Sequence, residues 1–221
     1  MKVCVVIPAY NEENTVSYIV GEAKKYSKDV VVVDDGSADS TSRLAKEGGA
    51  KVLRHAINLG VGSATVTGNE YAVSRGFDII VNLDSDGQHS ASAVPKGIEL
   101  LKNGGFDIVL GSRFLESTER MPAILKLGNN FLTLMNRTIF GSNISDTQSG
   151  FRILTANAWK KLSPKSMGYS ICSEISANIG TKRLKYAEIP IETIYLDKFK
   201  GTTIFDGIRI FAHMLRWWSK K

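Results

Sequence analysis

Val81-Asn82-Leu83-Asp84-Ser85-Asp86-Gly87-Gln88-His89 decides how the rest of the chain is read. The apolar run from Phe77 to Leu83 has the length and composition of a buried strand. It ends in two aspartates one residue apart, then a glycine, then Gln88 and His89. Acids at i and i+2 just past a strand end can face one point in space, which would carry strong negative charge unless a divalent cation sat there. Mg²⁺ and Mn²⁺ take hard oxygen ligands and keep positions open for water and phosphate oxygens. Gly87 relieves the turn, and Gln88 and His89 can reach back toward such a cation. The same residues also suit an ordinary polar loop in which Asp86 starts an Asx-turn, so this stretch alone leaves both readings open.

Outward from it the pattern repeats. Val3 to Ile7 is an apolar run ended by Pro8, followed by Ala9-Tyr10-Asn11-Glu12-Glu13 and a helix with Asn11 or Asn14 as N-cap. Val30 to Val33 runs into Asp34-Asp35-Gly36-Ser37, with Ser37 or Asp39 placed to cap a helix over Ser40–Glu47. Lys51 to Arg54 reads as a short third strand, and Asn58-Leu59-Gly60-Val61-Gly62-Ser63-Ala64 leads into a helix ending near Arg75. A helix near Ala93–Lys102 and a strand over Asp107–Leu110, ending in Gly111-Ser112-Arg113, follow the acid pair. Short apolar strands alternating with helices predict an α/β fold of right-handed βαβ units on a mostly parallel sheet. Ligands bind such sheets at the carboxyl ends of the strands, where Tyr10, Glu12, Asp34, Asp35, Asp84, Asp86 and Arg113 all fall. That edge offers an acid for a ribose or base (Asp35), an aromatic face (Tyr10), a metal pair and a cation, which are the needs of a nucleoside diphosphate. Gly60 and Gly62 either let backbone approach the ligand or simply start a helix. They form neither a Walker loop nor a dinucleotide fingerprint, which would follow the first strand.

The bulk properties narrow the field without choosing. The chain has 221 residues, enough for one large domain or one domain with an appendage. Hydrophobic residues at 43% and charged residues at 23% are those of a soluble globular protein. A net charge of +6 admits nucleotides, nucleic acid or an anionic membrane face. Cys4 and Cys172 read as buried thiols, with no disulfide framework or zinc site. Without a signal peptide or an apolar window of about 18 residues, the expectation is a cytoplasmic protein with no membrane span.

Four motifs carry a resemblance. Ile7-Pro8-Ala9-Tyr10-Asn11-Glu12-Glu13, Val33-Asp34-Asp35-Gly36-Ser37-Ala38-Asp39-Ser40-Thr41, Leu83-Asp84-Ser85-Asp86-Gly87-Gln88-His89 and Gly111-Ser112-Arg113 resemble the inverting family 2 glycosyltransferases. The branch is that of dolichyl-phosphate mannose synthase and dolichyl-phosphate glucosyltransferase. The resemblance covers nearly the whole chain. It implies a GT-A fold, with a Rossmann-like, mostly parallel central sheet and helices on both faces. It also implies a nucleotide-sugar donor and Mg²⁺ or Mn²⁺ at the Asp-x-Asp motif. By that resemblance Pro8, Tyr10, Glu12, Val33 and Asp35 would surround the nucleoside. Asp84, Ser85, Asp86 and Gln88 would hold metal and diphosphate, with Asp84, Asp86 and Gln88 as metal ligands. Arg113 would meet the phosphates or the acceptor. Many relatives have lysine between the two glycines of the Asn-x-Gly-x-Gly stretch, where this chain has Val61.

Beyond Arg113, Ala123 to Phe140 is expected to be an amphipathic helix serving the core or facing the acceptor. Asp146-Thr147-Gln148-Ser149-Gly150-Phe151-Arg152 resembles the Asp-x-x-Ser/Cys-Gly-Phe segment of the same branch. By that resemblance Asp146 would have a catalytic or near-metal role, beside Asp86 and Arg113; otherwise it is a capping acid in a loop. Glu174, in a helix over Tyr169–Gly180, is either a second active-site carboxylate or a partner of Arg152. Leu184–Pro190 and Glu192–Leu196 read as two further strands. The following loop is shorter than the family's phosphate-clamping version, and Lys200 is either a phosphate contact or part of a solvated basic loop. A last helix, about Thr203–Trp218, has Ile204, Ile208, Phe211, Leu215 and Trp218 on one side. From Leu196 to Lys221 there are six Lys/Arg against two Asp. That side suits either core packing or a membrane interface.

These readings combine into one expectation. A catalytic domain spans residues 1–201, with a nucleotide-sugar-binding half (1–113) and an acceptor half (114–201), and residues 202–221 form a basic amphipathic helix. The domain would move mannose or glucose from GDP-mannose or UDP-glucose to a polyprenyl (dolichyl) phosphate, peripherally on the cytoplasmic face of a membrane and with no nucleic-acid partner. The rivals are transfer to a soluble or cell-surface glycan acceptor, a nucleotidyltransferase, and a non-catalytic nucleotide-binding module.

Overall fold

The computed structural model describes residues 1–87, 91–115, 123–192 and 204–219, with side chains described from 126 and from 205 in the segments that begin at 123 and 204. Seven strands form one sheet: β1 (Val3–Ala9), β2 (Val30–Asp34), β3 (Lys51–Arg54), β4 (Ile79–Asn82), β5 (Ile108–Ser112), β6 (Arg152–Thr155) and β7 (Tyr186–Pro190). The helices are α1 (Val16–Lys24), α2 (Thr41–Glu47), α3 (Val61–Ser74), α4 (Val94–Asn103), α5 (Ala123–Phe140), α6 (Ala156–Leu162), α7 (Ser170–Thr181) and α8 (Ile204–Trp218). The strand order is β3-β2-β1-β4-β6-β5-β7. Every pairing is parallel except those of β6, which runs antiparallel to both β4 and β5.

The strands are continuous apolar runs because both faces of the sheet are covered, as parallel sheets require. Side chains alternate between the faces. Val5, Ile7, Val30 and Val32 pack with α1, α2 and α4 residues such as Val16, Val20, Ala45 and Val94. Cys4, Val6, Val31 and Val33 pack on the other face with Ala64, Ala72, Trp159, Ile171 and Ile175 of α3, α6 and α7. Burial pushes the Cys4 thiol up to about 12, so it stays a protonated core residue, whereas Cys172 is only partly buried.

A third layer lies outside α7. Leu132 and Phe140 of α5, Ala177 of α7 and Ile210 and Met214 of α8 form a separate apolar cluster. The core-facing side of α8 is therefore centred on Ile210 and Met214, one part of the turn away from the side expected from sequence. Phe205, Ile208, Leu215 and Trp218 are exposed, as are Leu127, Phe131 and Leu134 of α5. The two exposed stripes adjoin, since the Phe131 and Phe211 rings lie 5.5 Å apart.

Several local expectations differ from what is found. Neither Asn11 nor Asn14 caps α1: Thr15 holds that position with no side-chain cap bond. At α2 the N-cap is Ser40, with no side-chain cap bond, and Asp39 just before it accepts from Thr41 N at 3.0 Å. Strand β6 and helix α6 were not expected. Their four and seven residues are too short to show a period, and Arg152 interrupts the apolar pattern. The strand expected over Leu184–Pro190 begins at Tyr186, and most of Glu192–Leu196 lies outside the described residues. Because β6 sits between β4 and β5, residues on either side of 113 share one continuous sheet.

Close seating of α3 on the sheet depends on Gly68, where an added Cβ would lie 2.3 Å from Val6 Cγ1 and 3.0 Å from Val33 Cγ2. Both neighbours are β-branched residues in strands and have no rotamer to yield into. Gly68→Ala is expected to destabilise the chain by about 1–3 kcal/mol in urea unfolding. A midpoint unchanged from the parent would contradict this packing.

Candidate active site

The strand order reverses between β1 and β4, and at such a switch point the loops on either side part to leave a crevice. The loop after β1 is stapled to the loop after β2. Asn11 N donates to Ser37 Oγ (2.9 Å), and Ala38 N returns a bond to Asn11 Oδ1 (2.9 Å). Glu12 N donates to Thr41 Oγ1 (2.8 Å), and Ser40 N donates to Glu13 Oε2 (3.0 Å). These bonds hold Asn11 at φ +54°, a left-handed conformation tolerated by asparagine. Glu12 is buried and accepts from Thr15 Oγ1 at 3.1 Å. Tyr10 is nearly half exposed at the rim. Pro8 and Val33, register partners on β1 and β2, lie buried beneath it.

The two aspartates after β2 divide their work. Asp34 serves its own turn, accepting from Ser37 N (2.8 Å) and from Ser42 Oγ. Asp35, only 2% exposed, accepts from His55 Nδ1 (2.6 Å), Leu59 N (3.0 Å) and Gly60 N (2.7 Å).

Asp84 and Asp86 are partly exposed at the end of β4, with Ser85 buried between them. Gly87 has φ +74°, and its Cβ position points toward Thr15 at the start of α1, 3.8 Å away. The antiparallel course of β6 then brings the Asp146–Phe151 segment back to this edge, since Asn82 is the register partner of Arg152. Gly150 lies so close under Asp84 that an added Cβ would stand 2.2 Å from Oδ1 and 2.4 Å from Oδ2. Any other residue there would drive the carboxylate away.

Asp146 and Arg113 form one unit. Arg113 Nε and Nη2 donate to Asp146 Oδ2 and Oδ1 at 2.7 and 2.9 Å, and Arg113 N adds a bond at 3.2 Å. Asn129 Nδ2 (3.3 Å) and Gln148 N (3.2 Å) also donate to Oδ1. Burial alone would push the Asp146 carboxyl up, but the charge and hydrogen bonds of Arg113 outweigh it and hold it below the usual carboxylate range. The pair is braced from behind. Ser145 N and Oγ donate to Glu188 Oε1 on β7 (2.9 and 2.7 Å), and Ser145 Oγ lies 2.6 Å from Ser112 Oγ.

Two expectations change on contact with the geometry. Gly60 and Gly62 serve a protein contact: added Cβ atoms would stand 2.6 Å from Met167 O and 2.2 Å from Ser166 O, and Ser63 N donates to Met167 O at 2.9 Å. Glu174 is neither a site carboxylate nor the partner of Arg152. It accepts from Lys165 N and Ser166 N at 2.7–3.0 Å, fixing the loop on which the glycines sit, while Arg152 Nη2 donates to Ser149 O. The same loop ends in Tyr169. Its phenol is held up by burial first, then by the charges of Asp206, Asp84, Cys172 and Asp86.

The structure thus gathers Tyr10, Glu12, Asp35, Asp84, Ser85, Asp86, Arg113 and Asp146 at one edge. Gln88 and Lys200 lie outside the described residues. Sequence reasoning passed over His55, Asn129, Ser145, Tyr169 and Glu188. The one signal for His55 was its place directly after a strand end. Among the described residues no group of three or more His, Cys, Asp or Glu side chains could hold a metal. Asp84 and Asp86 offer two carboxylates at the end of β4. This suits Mg²⁺ or Mn²⁺, which commonly take one or two carboxylates and complete their shell with water and substrate phosphate.

Comparison with known proteins agrees with this geometry. Residues 4–162 match the sequence family described as glycosyl transferase family 2. A Methanococcus voltae protein named UDP-N-acetylglucosamine--dolichyl-phosphate N-acetylglucosaminyltransferase is 34% identical over 95% of this chain and 93% of its own. A Pyrococcus furiosus dolichol-phosphate mannosyltransferase is 33% identical over 98% of this chain and 64% of its own. Among solved structures, glucosyl-3-phosphoglycerate synthase from Mycobacterium tuberculosis with Mg²⁺ and uridine diphosphate superposes with a TM-score of 0.75. That match covers 97% of this chain and 78% of that one at 21% identity, a likeness of fold. The seven-stranded, mostly parallel sheet with helices on both faces is a GT-A fold.

The Arg113–Asp146 pair has a stability signature. The Asp146 pKa is lowered on folding, so its contribution is complete above the unfolded value of about 3.9 and is lost as pH falls through the folded value. Asp146→Asn should cost about 2–3 kcal/mol at pH 7, since it strips the charge partner from a largely buried arginine. It should also flatten the loss of stability as pH falls below about 4. Urea unfolding across that range checks both, and a variant with the parent's acid profile would refute the assignment.

Proposed function

The chain belongs to glycosyl transferase family 2, and on that premise we propose that it moves a sugar, with inversion, from a nucleotide-sugar to a polyprenyl phosphate. The observation that carries this reading is the contact of Asp84 with Gly150, where the donor-side acid pair meets the segment that holds Asp146. The names of relatives that act on dolichyl phosphate support the acceptor class. The sugar is a hexose such as mannose or glucose, or the N-acetylglucosamine of the Methanococcus relative's name.

Pro8, Tyr10, Glu12, Val33 and Asp35 surround the nucleoside, with Tyr10 at the rim as its stacking face. Asp84 and Asp86, with Gln88, would hold Mg²⁺ or Mn²⁺, and Ser85 and Lys200 would attend the diphosphate. When bound, such a cation stabilises the charge that develops on the leaving diphosphate. Arg113 faces phosphate, and Asp146 fixes the plane of its guanidinium through two parallel hydrogen bonds. A phosphate monoester acceptor is already an anion at neutral pH and needs no strong base to be activated. Asp146, kept ionised by Arg113, thus acts by orientation and charge. Catalysis rests on in-line positioning of the two substrates.

A lipid acceptor also gives the exposed apolar stripes a use. Leu127, Phe131 and Leu134 adjoin Phe205, Ile208, Leu215 and Trp218, with Arg209 and Arg216 exposed alongside on α8. Apolar side chains flanked by arginines suit a helix face lying in a membrane interface. No described helix is long and apolar enough to cross a membrane, so the contact proposed is peripheral.

Labelled nucleotide-sugars incubated with polyprenyl phosphate and Mn²⁺ should yield an organic-extractable product. Asp86→Ala should lower that yield about a hundredfold or more, because the metal's contribution is several kcal/mol. Product found only in the aqueous phase would point to a soluble acceptor, and full activity of Asp86→Ala would remove the metal from the mechanism. In a separate test, Ile208→Asp with Leu215→Asp should weaken sedimentation with anionic vesicles, and equal sedimentation would dismiss the membrane contact.

A further inference from the structure

We propose that His55 is a positioning residue for the donor, acting through Asp35. His55 directly follows β3, and its backbone N donates to Asp34 O at 2.9 Å, extending the β2–β3 ladder by one residue. This fixes the ring beneath the loop that carries Asp35. The imidazole side chain is 12% exposed, and both nitrogens have partners: Nδ1 at 2.6 Å from Asp35 Oδ1 and Nε2 at 2.9 Å from Thr67 Oγ1 on α3. Facing a carboxylate, Nδ1 carries the hydrogen, and Nε2 pairs with the Thr67 hydroxyl, which can donate or accept. With both nitrogens committed, the ring has no position left for a ligand or a reacting proton. Its work is orientation.

What it orients is Asp35, which with Glu12 is one of two buried carboxylates at the nucleoside end of the site. The two oxygens of a carboxylate offer about four acceptor positions. Protein groups take three: His55 and Leu59 N on Oδ1, and Gly60 N on Oδ2. The fourth, on Oδ2, remains for a donor from the ligand, which must be an N–H or O–H: a nucleobase imide or amide, or a ribose hydroxyl. His55 and Leu59 together fill Oδ1 and thereby turn Oδ2 toward that role. The surrounding backbone has little slack, because a Cβ on Gly36 would stand 2.6 Å from Ile57 C and 2.8 Å from Asn58 N. The 55–60 segment wraps tightly over the Asp35–Gly36 turn, and His55 is the side-chain pin that holds the carboxylate against it.

The proposal rests on the donor reading above, and the test separates the two. Nucleoside diphosphate (UDP and GDP in turn, with Mn²⁺) is titrated into the parent, His55→Ala, His55→Asn, Asp35→Ala and the His55→Ala/Asp35→Ala double variant, and donor KM and kcat are measured. His55→Ala should weaken nucleotide binding and raise donor KM about tenfold, the effect of losing one charge-assisted hydrogen bond. Its kcat at saturating donor should stay within about twofold, as for a residue that acts only on ground-state binding. Asparagine can place its amide N–H where Nδ1 stands, so His55→Asn should recover most of the loss. In the Asp35→Ala background His55→Ala should add nothing. Parent-like binding by His55→Ala, a loss that persists without Asp35, or a fall in kcat at unchanged KM would each overturn the role. A parent chain that binds neither nucleotide would remove the donor reading, and the inference with it.

Discussion

The site depends on one strand running against the others. Parallel strands deliver their carboxyl ends to a common edge but carry the following chain away into a helix. Strand β6 runs antiparallel between β4 and β5, so it is the residues before it, Asp146 to Phe151, that arrive at that edge. Gly150 then packs under Asp84 with no room for a side chain. Asp84 and the Arg113–Asp146 unit are thereby brought to one edge by backbone geometry.

Around that crevice the polar groups are tied to each other before any ligand arrives. The β1 and β2 loops exchange hydrogen bonds, Asp35 is held by His55 and the 59–60 backbone, and Glu188 braces Ser145 behind the ion pair. Buried carboxylates are costly unless paired, and each of these has donors within hydrogen-bond distance. The result is an array of charge already ordered by the protein's own hydrogen bonds.

Much of this was legible in the sequence, for a physical reason. Buried parallel strands must be continuous apolar runs, so β1, β2 and β4 announced themselves, and the polar residues that ended them marked the ligand edge. Strand β6 stayed hidden because four residues starting with a buried arginine carry no recognisable period. The glycine pair at 60 and 62 was seen, but glycine permits close approach to anything. Only the fold reveals that the approaching group is the Ser166–Met167 backbone. Glu174 was likewise visible as an acid, while its partners, two backbone amides eight and nine residues earlier, have no signature. On α8 the apolar residues occupy more than half of the turn. The sequence could not say which arc faces α5 and α7, and the structure assigns it to Ile210 and Met214.

The most direct measurement is calorimetric titration of nucleoside diphosphates into the chain, first with Mn²⁺ and then with chelator. If Asp84 and Asp86 grip a cation that in turn grips the diphosphate, one nucleotide will bind with measurable heat and the signal will disappear when the metal is withdrawn. Equal heats with and without the metal, or none for any nucleotide, would contradict the account.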